Sequence, residues 1–201
     1  MSSAFDGIVD RFTAASGAFG EKLGTVRPGQ LTWRTPCTEW DVRQLVNHMT
    51  RGNRSYVHLL DGATSAEFLR LRDADALGDD PAGAYARSVG ECAAAFARPG
   101  ALRQVLDYPL GQVTGEQALA VRTADSVIHT WDLARAVGID DTLRPDLVAW
   151  ISDHLGEIYD GLAESPVAAQ SAHRFFAAPP AEAATGASRQ GRLLIQMGRR
   201  P

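Results

Sequence analysis

A short stretch of the chain, ADSVIHTWDLAR at residues 124–135, contains the side chains best suited to chemistry. Asp125, His129 and Asp132 are spaced four and three residues apart, so on a helix they share an arc of about 60°. The arc borders apolar residues, and polar side chains beside a buried face are costly unless a partner satisfies them. The spacing therefore indicates either ordinary side-chain pairs in a plain helical domain or a metal site.

A metal site would need a third ligand from elsewhere in the chain. An aspartate and a histidine four residues apart can bind one divalent cation from a single helical face. A ligand from a neighbouring helix would complete a set typical of catalytic metals and leave a position for water or substrate. His48, within LVNHM at the edge of another apolar face, is the candidate.

A purely structural interpretation of the same residues stays open at this point. In it, His48 is a core histidine, Asp125 and His129 form an ordinary helical pair, and Asp132 pairs with Arg135 or Arg122. We expect both arginines to be solvated surface residues, although either would suit an anionic substrate or cofactor. The remaining histidines lack partners at ligand spacing and are expected at the surface or at helix ends: His58, His154 and His173.

Apolar periodicity and capping residues predict a mainly helical chain. Thr38-Glu39-Trp40-Asp41 and Thr114-Gly115-Glu116-Gln117 resemble helix starts, and Gly138 is a predicted helix end. A helical turn is expected around 67–71 and a short hairpin within 102–113. The predicted helices cover 4–23, 38–60, 81–98, 114–137 and 145–162. We divide the chain into a bundle over 1–165 and an irregular tail over 166–201 that packs on it.

The composition argues against several classes of protein. The chain has 201 residues and a formal charge of −4, which gives no basic excess for binding nucleic acid. It contains no apolar run of membrane-spanning length, and Asp6 and Asp10 interrupt the region where a signal peptide would be apolar. A cytoplasmic protein without membrane contact is expected. Both cysteines are expected to be ordinary core residues, Cys37 and Cys92, and all four tryptophans to be core anchors: Trp33, Trp40, Trp131 and Trp150.

Two motifs resemble a known family. TPCTEWDVRQLVNHM at 35–49 and ADSVIHTWDLARAVG at 124–138 resemble the paired signatures of the DinB-like superfamily. They are most similar to the metal-binding domain of mycothiol-dependent maleylpyruvate isomerase and its uncharacterised actinobacterial relatives, whose ends GRLLIQMGRRP also resembles. The resemblance implies an all-α, DinB-like four-helix bundle, here with an additional C-terminal helix. It also implies a divalent metal, usually zinc or nickel, at the positions of His48, Asp125 and His129, where the isomerase has glutamate in place of Asp125.

The expected function follows from this resemblance. A metal lowers the pKa of a bound thiol, and the thiolate is the nucleophile, so mycothiol or another low-molecular-weight thiol would attack an electrophilic small molecule. The protein would be an isomerase or S-transferase, with Asp132 orienting His129 or supporting the helix end. The alternative is a non-catalytic metal-binding or stress-associated bundle, and a third candidate is a purely structural domain. A homodimer is a further expectation.

Overall fold

The computed structural model describes residues 3–72, 74–162 and 186–201. Within these residues the chain forms seven α-helices and one two-stranded hairpin, so the all-α, DinB-like prediction is confirmed. The elements are α1 (Ile8–Leu23), α2 (Val42–Leu60), α3 (Ser65–Arg70), α4 (Pro81–Phe96), β1 (Val105–Tyr108), β2 (Gly111–Thr114), α5 (Gly115–Val137), α6 (Pro145–Ile158) and α7 (Arg189–Gln196). None of the described helices has the length and apolar character needed to cross a bilayer.

Four helices form the bundle: α1, α2, α4 and α5. Helix α1 packs against α4 and α5, and α2 packs against the same two helices from the other side. Helix α6 covers α5, and α7 packs on α6. As a result α5 is central: of residues 118–134, Asp125 alone is not fully buried. The buried polar side chains of α5 must therefore find partners inside the protein.

The second helix begins later than the sequence predicted. The helix starts at Val42, and its N-cap is Asp41, whose carboxylate accepts a hydrogen bond from the Gln44 amide at 2.8 Å. The Gln44 side chain accepts in turn from the Asp41 amide at 2.9 Å. The prediction that Thr38 starts this helix was wrong, because Asp41 and Gln44 form the reciprocal capping box instead. The predicted end at Leu60 is confirmed.

Other helix boundaries also differ from the prediction, including the end of α4 at Phe96 and not at 98. The first helix begins at Ile8, not at residue 4, because Gly7 adopts a left-handed conformation with φ 70° that interrupts helical geometry. Helix α6 ends at Ile158, not at 162, and His154 within it already departs from helical angles. Within the described residues 186–201 the chain is not irregular, since Arg189–Gln196 forms a helix capped by Ser188. The proposed domain boundary at 165/166 lies outside the described residues.

The elements on either side of the candidate site match their sequence signals. Thr114 caps α5 by accepting a hydrogen bond from the Gln117 amide, and Gly138 ends that helix with φ 73°. Pro81 occupies the first turn of α4, as its missing N–H favours. The predicted hairpin is antiparallel, with Leu106 paired to Val113. Local capping and turn chemistry therefore fixes where α5, the helix that carries the polar arc, begins and ends.

Candidate metal centre

Three potential ligands from two helices converge at Asp125, the residue of the central part of α5 (118–134) that is not fully buried. The Nε2 atom of His48, on α2, lies 3.3 Å from Oδ2 of Asp125, and the Nε2 atom of His129 lies 3.1 Å from Oδ1 of the same carboxylate. The two imidazoles meet edge to face with ring centroids 5.0 Å apart. Their exposure is graded: the side chain of His48 is 24% exposed, that of Asp125 14% and that of His129 3%. The group thus opens to solvent on the His48 side.

The loop before α2 covers the histidines with an aromatic ring. Trp40 packs at a centroid distance of 4.7 Å from His48 and 5.9 Å from His129. Thr35 organises this loop: its hydroxyl lies 3.0 Å from the carbonyls of both Cys37 and Trp40, and its amide bonds to the Trp40 carbonyl at 3.1 Å. This turn fixes Trp40 over the rings and limits the space around the candidate centre.

Asp132 holds the far side of the His129 ring. The Nδ1 atom of His129 lies 2.8 Å from Oδ2 of Asp132, which is fully buried. Arg199, from the C-terminal segment, donates to both carboxylate oxygens, from Nε to Oδ1 at 3.0 Å and from Nη2 to Oδ2 at 2.6 Å. A hydrogen bond at Nδ1 directs Nε2 of His129 towards Asp125 and His48.

Asp125 has a cationic neighbour of its own in Arg122, one turn earlier on α5. The Arg122 guanidinium is 1% exposed and donates to Oδ2 of Asp125, to the Asn53 side chain at 2.8 Å and to the Met49 carbonyl at 2.6 Å. It fits because Gly52 leaves room on α2: a Cβ there would lie 2.8 Å from the guanidinium carbon. Arg122 is therefore a fixed internal charge, and the expectation that it is a surface residue was wrong.

These contacts shift the pKa values of the three candidate ligands. Burial alone would raise the pKa of Asp125, but His129, His48 and Arg122 outweigh it and hold that pKa well below its ordinary range. For His129, burial opposes the charged form, yet Asp125 and Asp132 raise the pKa well above its usual value. Burial lowers the pKa of His48 to about 4, against the opposing effect of Asp125. Without a metal ion, the His129 imidazole between the two carboxylates is therefore protonated, while His48 is neutral.

The donor set fits a divalent cation. The three ligand atoms lie within 4.8 Å of one another. Ligand atoms bound to one cation at about 2.0–2.2 Å lie about 3 Å apart, close to the two distances measured to Asp125. Two imidazole nitrogens and one carboxylate suit zinc, nickel or iron(II). A second group with ligand spacing, Cys37, His129 and Asp132, fits less well because Arg199 already binds both oxygens of Asp132.

Several contacts at the site were not predicted from the sequence. Asp132 pairs with Arg199 and not with Arg122 or Arg135; Arg135 is half exposed beside Asp141, as expected for a surface residue. Cys37 is not an ordinary core residue, because its thiol lies 3.4 Å from both Asp132 and Arg199. Arg199 is 67 residues from Asp132, so no local spacing signals the pair.

The aromatic and remaining histidine predictions had mixed outcomes. Trp33 is 44% exposed and is not a core anchor, whereas Trp131 and Trp150 are buried in the core cluster. His58 is exposed, as expected, whereas His154 is partly buried inside α6 beside Trp150; His173 is outside the described residues. Cys92 is buried, as predicted.

Comparison with known proteins places the chain in a family. Residues 12–134 match the family described as the mycothiol maleylpyruvate isomerase N-terminal domain. The chain is also similar to two uncharacterized proteins of Mycobacterium tuberculosis, MT0763 and Rv0738. It is 34% identical to each over 133 residues, which cover 66% of this chain and 69% of each relative. No solved structure matches it significantly. The matched segment contains His48, Asp125, His129 and Asp132, and the chain belongs to the mycothiol maleylpyruvate isomerase N-terminal domain family.

Proposed function

We propose that this protein binds one divalent metal ion through His48, Asp125 and His129 and uses it with a mycothiol-type thiol, as an isomerase or S-transferase acting on an electrophilic small molecule. The observation that carries the proposal is the convergence of two imidazole Nε2 atoms on one carboxylate, at 3.3 and 3.1 Å, from two separate helices. Zinc and nickel are the candidate metals. Family membership supports a role related to mycothiol.

The residues of the chain have distinct parts in this proposal. His48 and Asp125 form the solvent side of the centre, where a thiol and a substrate would approach. His129 is the buried ligand, and Asp132 fixes its orientation through Nδ1. The metal, when bound, supplies the positive charge that keeps a coordinated thiol deprotonated and therefore nucleophilic. Trp40 covers both rings and limits access of water.

The charge balance of the site favours an anionic ligand. Asp125 faces Arg122, and Asp132 faces Arg199, so each buried carboxylate already has a cationic partner. With neutral histidines, a divalent cation would add two positive charges that no protein group neutralises. A deprotonated thiol would offset part of that charge, whereas a neutral ligand would not.

Metal content with stoichiometry tests the proposal directly. We expect about one zinc or nickel per chain after metal-supplemented dialysis, and loss of it in a His48→Ala, His129→Ala double variant. His58→Ala is the matched control, because His58 is exposed and lies outside the site. Metal-free wild-type protein, or a double variant with unchanged metal content, would contradict the proposal.

A thermal-shift experiment tests the thiol. A ligand that binds only the folded state raises its apparent stability. We therefore expect mycothiol to raise the melting temperature of the metal-loaded protein and not that of the metal-free protein, while S-methylated mycothiol, which has no free thiol, has no effect. Equal shifts with both compounds would contradict thiol coordination.

A second candidate is a bundle that catalyses nothing, whether or not it holds a metal. It is favoured by the same two arginines, since Arg122 and Arg199 pair with the carboxylates of Asp125 and Asp132 without any metal ion. A metal-bound protein whose stability no thiol changes would favour a non-catalytic metal-binding bundle. A protein that binds no metal would favour a purely structural role.

A further inference from the structure

The C-terminal segment, residues 186–201, reaches back to the candidate metal centre through one side chain. Arg199 follows α7 and is buried, with its guanidinium against Asp132 on the central helix α5. Its third nitrogen donates to the carbonyl of Met197 at 2.9 Å, which fixes the side chain to its own backbone turn. The neighbouring Arg200 is exposed. Two adjacent arginines thus have opposite environments.

Arg199 also joins the C-terminal segment to the loop that covers the histidines. Its Nη2 atom lies 3.4 Å from the sulfur of Cys37, and Cys37 lies in the turn that fixes Trp40. The guanidinium therefore contacts both the carboxylate behind His129 and the loop in front of it. The match to the family model ends at residue 134, so Arg199 lies outside the segment that this model covers.

From these contacts we infer that Arg199 is a positioning residue through which docking of the C-terminal segment sets the metal affinity of the centre; the inference rests on the proposed metal site. Arg199 binds both oxygens of Asp132 and leaves Oδ2 aligned with Nδ1 of His129. This arrangement keeps the proton of His129 on Nδ1 and presents Nε2 to the metal. Without Arg199, the Asp132 carboxylate keeps only its contacts with His129 and the Cys37 thiol, both at Oδ2, and the imidazole is held less firmly in its orientation.

The geometry favours a planar guanidinium over any other cation at this position. Two parallel N–H donors match the two oxygens of a carboxylate, which an ammonium group cannot reproduce. Arg199→Lys would preserve the charge and lose the paired geometry, whereas Arg199→Gln would lose both. We therefore expect metal affinity to decrease in the order wild type, Arg199→Lys, Arg199→Gln.

The first test measures zinc affinity by competition with a chromogenic chelator. We expect Arg199→Gln to weaken zinc binding about 10–100-fold, the usual effect of removing a partner behind a ligating histidine. Arg200→Gln is the matched control and should change the affinity by no more than about twofold. Asp132→Asn should weaken binding similarly, and adding Arg199→Gln to it should cause little further loss, because Arg199 acts through Asp132. Unchanged affinity in Arg199→Gln, or fully additive losses, would overturn the inference.

The second test does not depend on metal binding. In nitrogen-15 NMR spectra of the metal-free protein, the Nδ1 proton of His129 should be visible and slow to exchange in wild type and Arg200→Gln, and lost in Arg199→Gln. Retention of that proton in Arg199→Gln would overturn the inference even if the variant is less stable. If wild-type protein binds no metal but the proton depends on Arg199, the proposed function fails while the positioning contact is supported.

Discussion

Replacing Arg122 by methionine should lower stability and raise metal affinity at the same time. Arg122 is fully buried and donates hydrogen bonds to Asp125, Asn53 and the Met49 carbonyl, among others. Removing one partner of a buried ion pair typically costs about 3–5 kcal/mol of unfolding free energy. Asp125 keeps 14% exposure and two histidine neighbours, so we expect about 3 kcal/mol in the metal-free protein.

The opposite effect on metal binding follows from charge. In the wild type, the Arg122 cation occupies one oxygen of the carboxylate that a metal would bind. Two unit charges about 4 Å apart interact by about 4 kcal/mol at an effective dielectric constant near 20, and a divalent ion doubles that repulsion. Orientation of Asp125 depends less on Arg122, because His48 and His129 also contact the carboxylate. Even partial loss of the repulsion between Arg122 and the metal should therefore raise zinc affinity by about tenfold or more.

Urea unfolding with zinc or with chelator measures both quantities. We expect Arg122→Met to be less stable than wild type in chelator and to gain more stability from zinc, because tighter binding to the folded state adds to the unfolding free energy. Arg135→Met is the control: this half-exposed residue is on the same helix, and its loss should change stability by about 0.5 kcal/mol or less. Weaker zinc binding by Arg122→Met, or equal destabilisation by Arg135→Met, would refute the reasoning.

Three further predictions concern helix packing and protonation. Gly52→Ala should destabilise the protein by about 1–3 kcal/mol in thermal unfolding, because its Cβ would lie 2.8 Å from the Arg122 guanidinium; Gly90→Ala, with open space, should stabilise it by about 0.4–1 kcal/mol. In metal-free protein, burial lowers the pKa of His48 to about 4, so the unfolded chain takes up a proton first as the pH falls. Stability should therefore drop between about pH 6.5 and 4, by about 2–3 kcal/mol more in wild type than in His48→Gln, as urea titrations would show. Because the pKa of His129 is raised, zinc binding at neutral pH should release about one proton, measurable by calorimetry in buffers of different ionisation enthalpy; no release would mean that His129 is not a ligand.

The sequence was enough to predict the candidate metal ligands, but not the charged residues that contact them. The spacing of Asp125 and His129 and the position of His48 are readable from periodicity, and the structure brings these side chains together. Their role as ligands stays a prediction. The cationic partners could not be predicted in this way. Arg122 has the spacing of any exposed helical ion pair, and only the structure shows that it is buried, in the space that Gly52 leaves.

The helix boundaries also divide into those that local sequence signals predict and those that they do not. Three boundaries lie where the sequence predicts them, because the residue at each one acts on the adjacent helical turn: Pro81, Thr114 and Gly138. Thr38 does not mark a boundary, because two capping candidates lie within four residues and the Asp41–Gln44 pair forms the box. The turn around Thr35, whose hydroxyl donates to the Trp40 carbonyl, leads directly into the Asp41 cap.

The sequence by itself determined the helical elements, the hairpin and the single arc of Asp125, His129 and Asp132, because these depend on interactions between residues a few positions apart. Only the tertiary structure decided what that arc contacts. It buried α5 on nearly every side, brought His48 and Trp40 from α2 and its preceding loop, and carried Arg199 across 67 residues to Asp132. The physical reason is desolvation: once α5 is central, its carboxylates need charged partners, and those partners come from wherever packing places them.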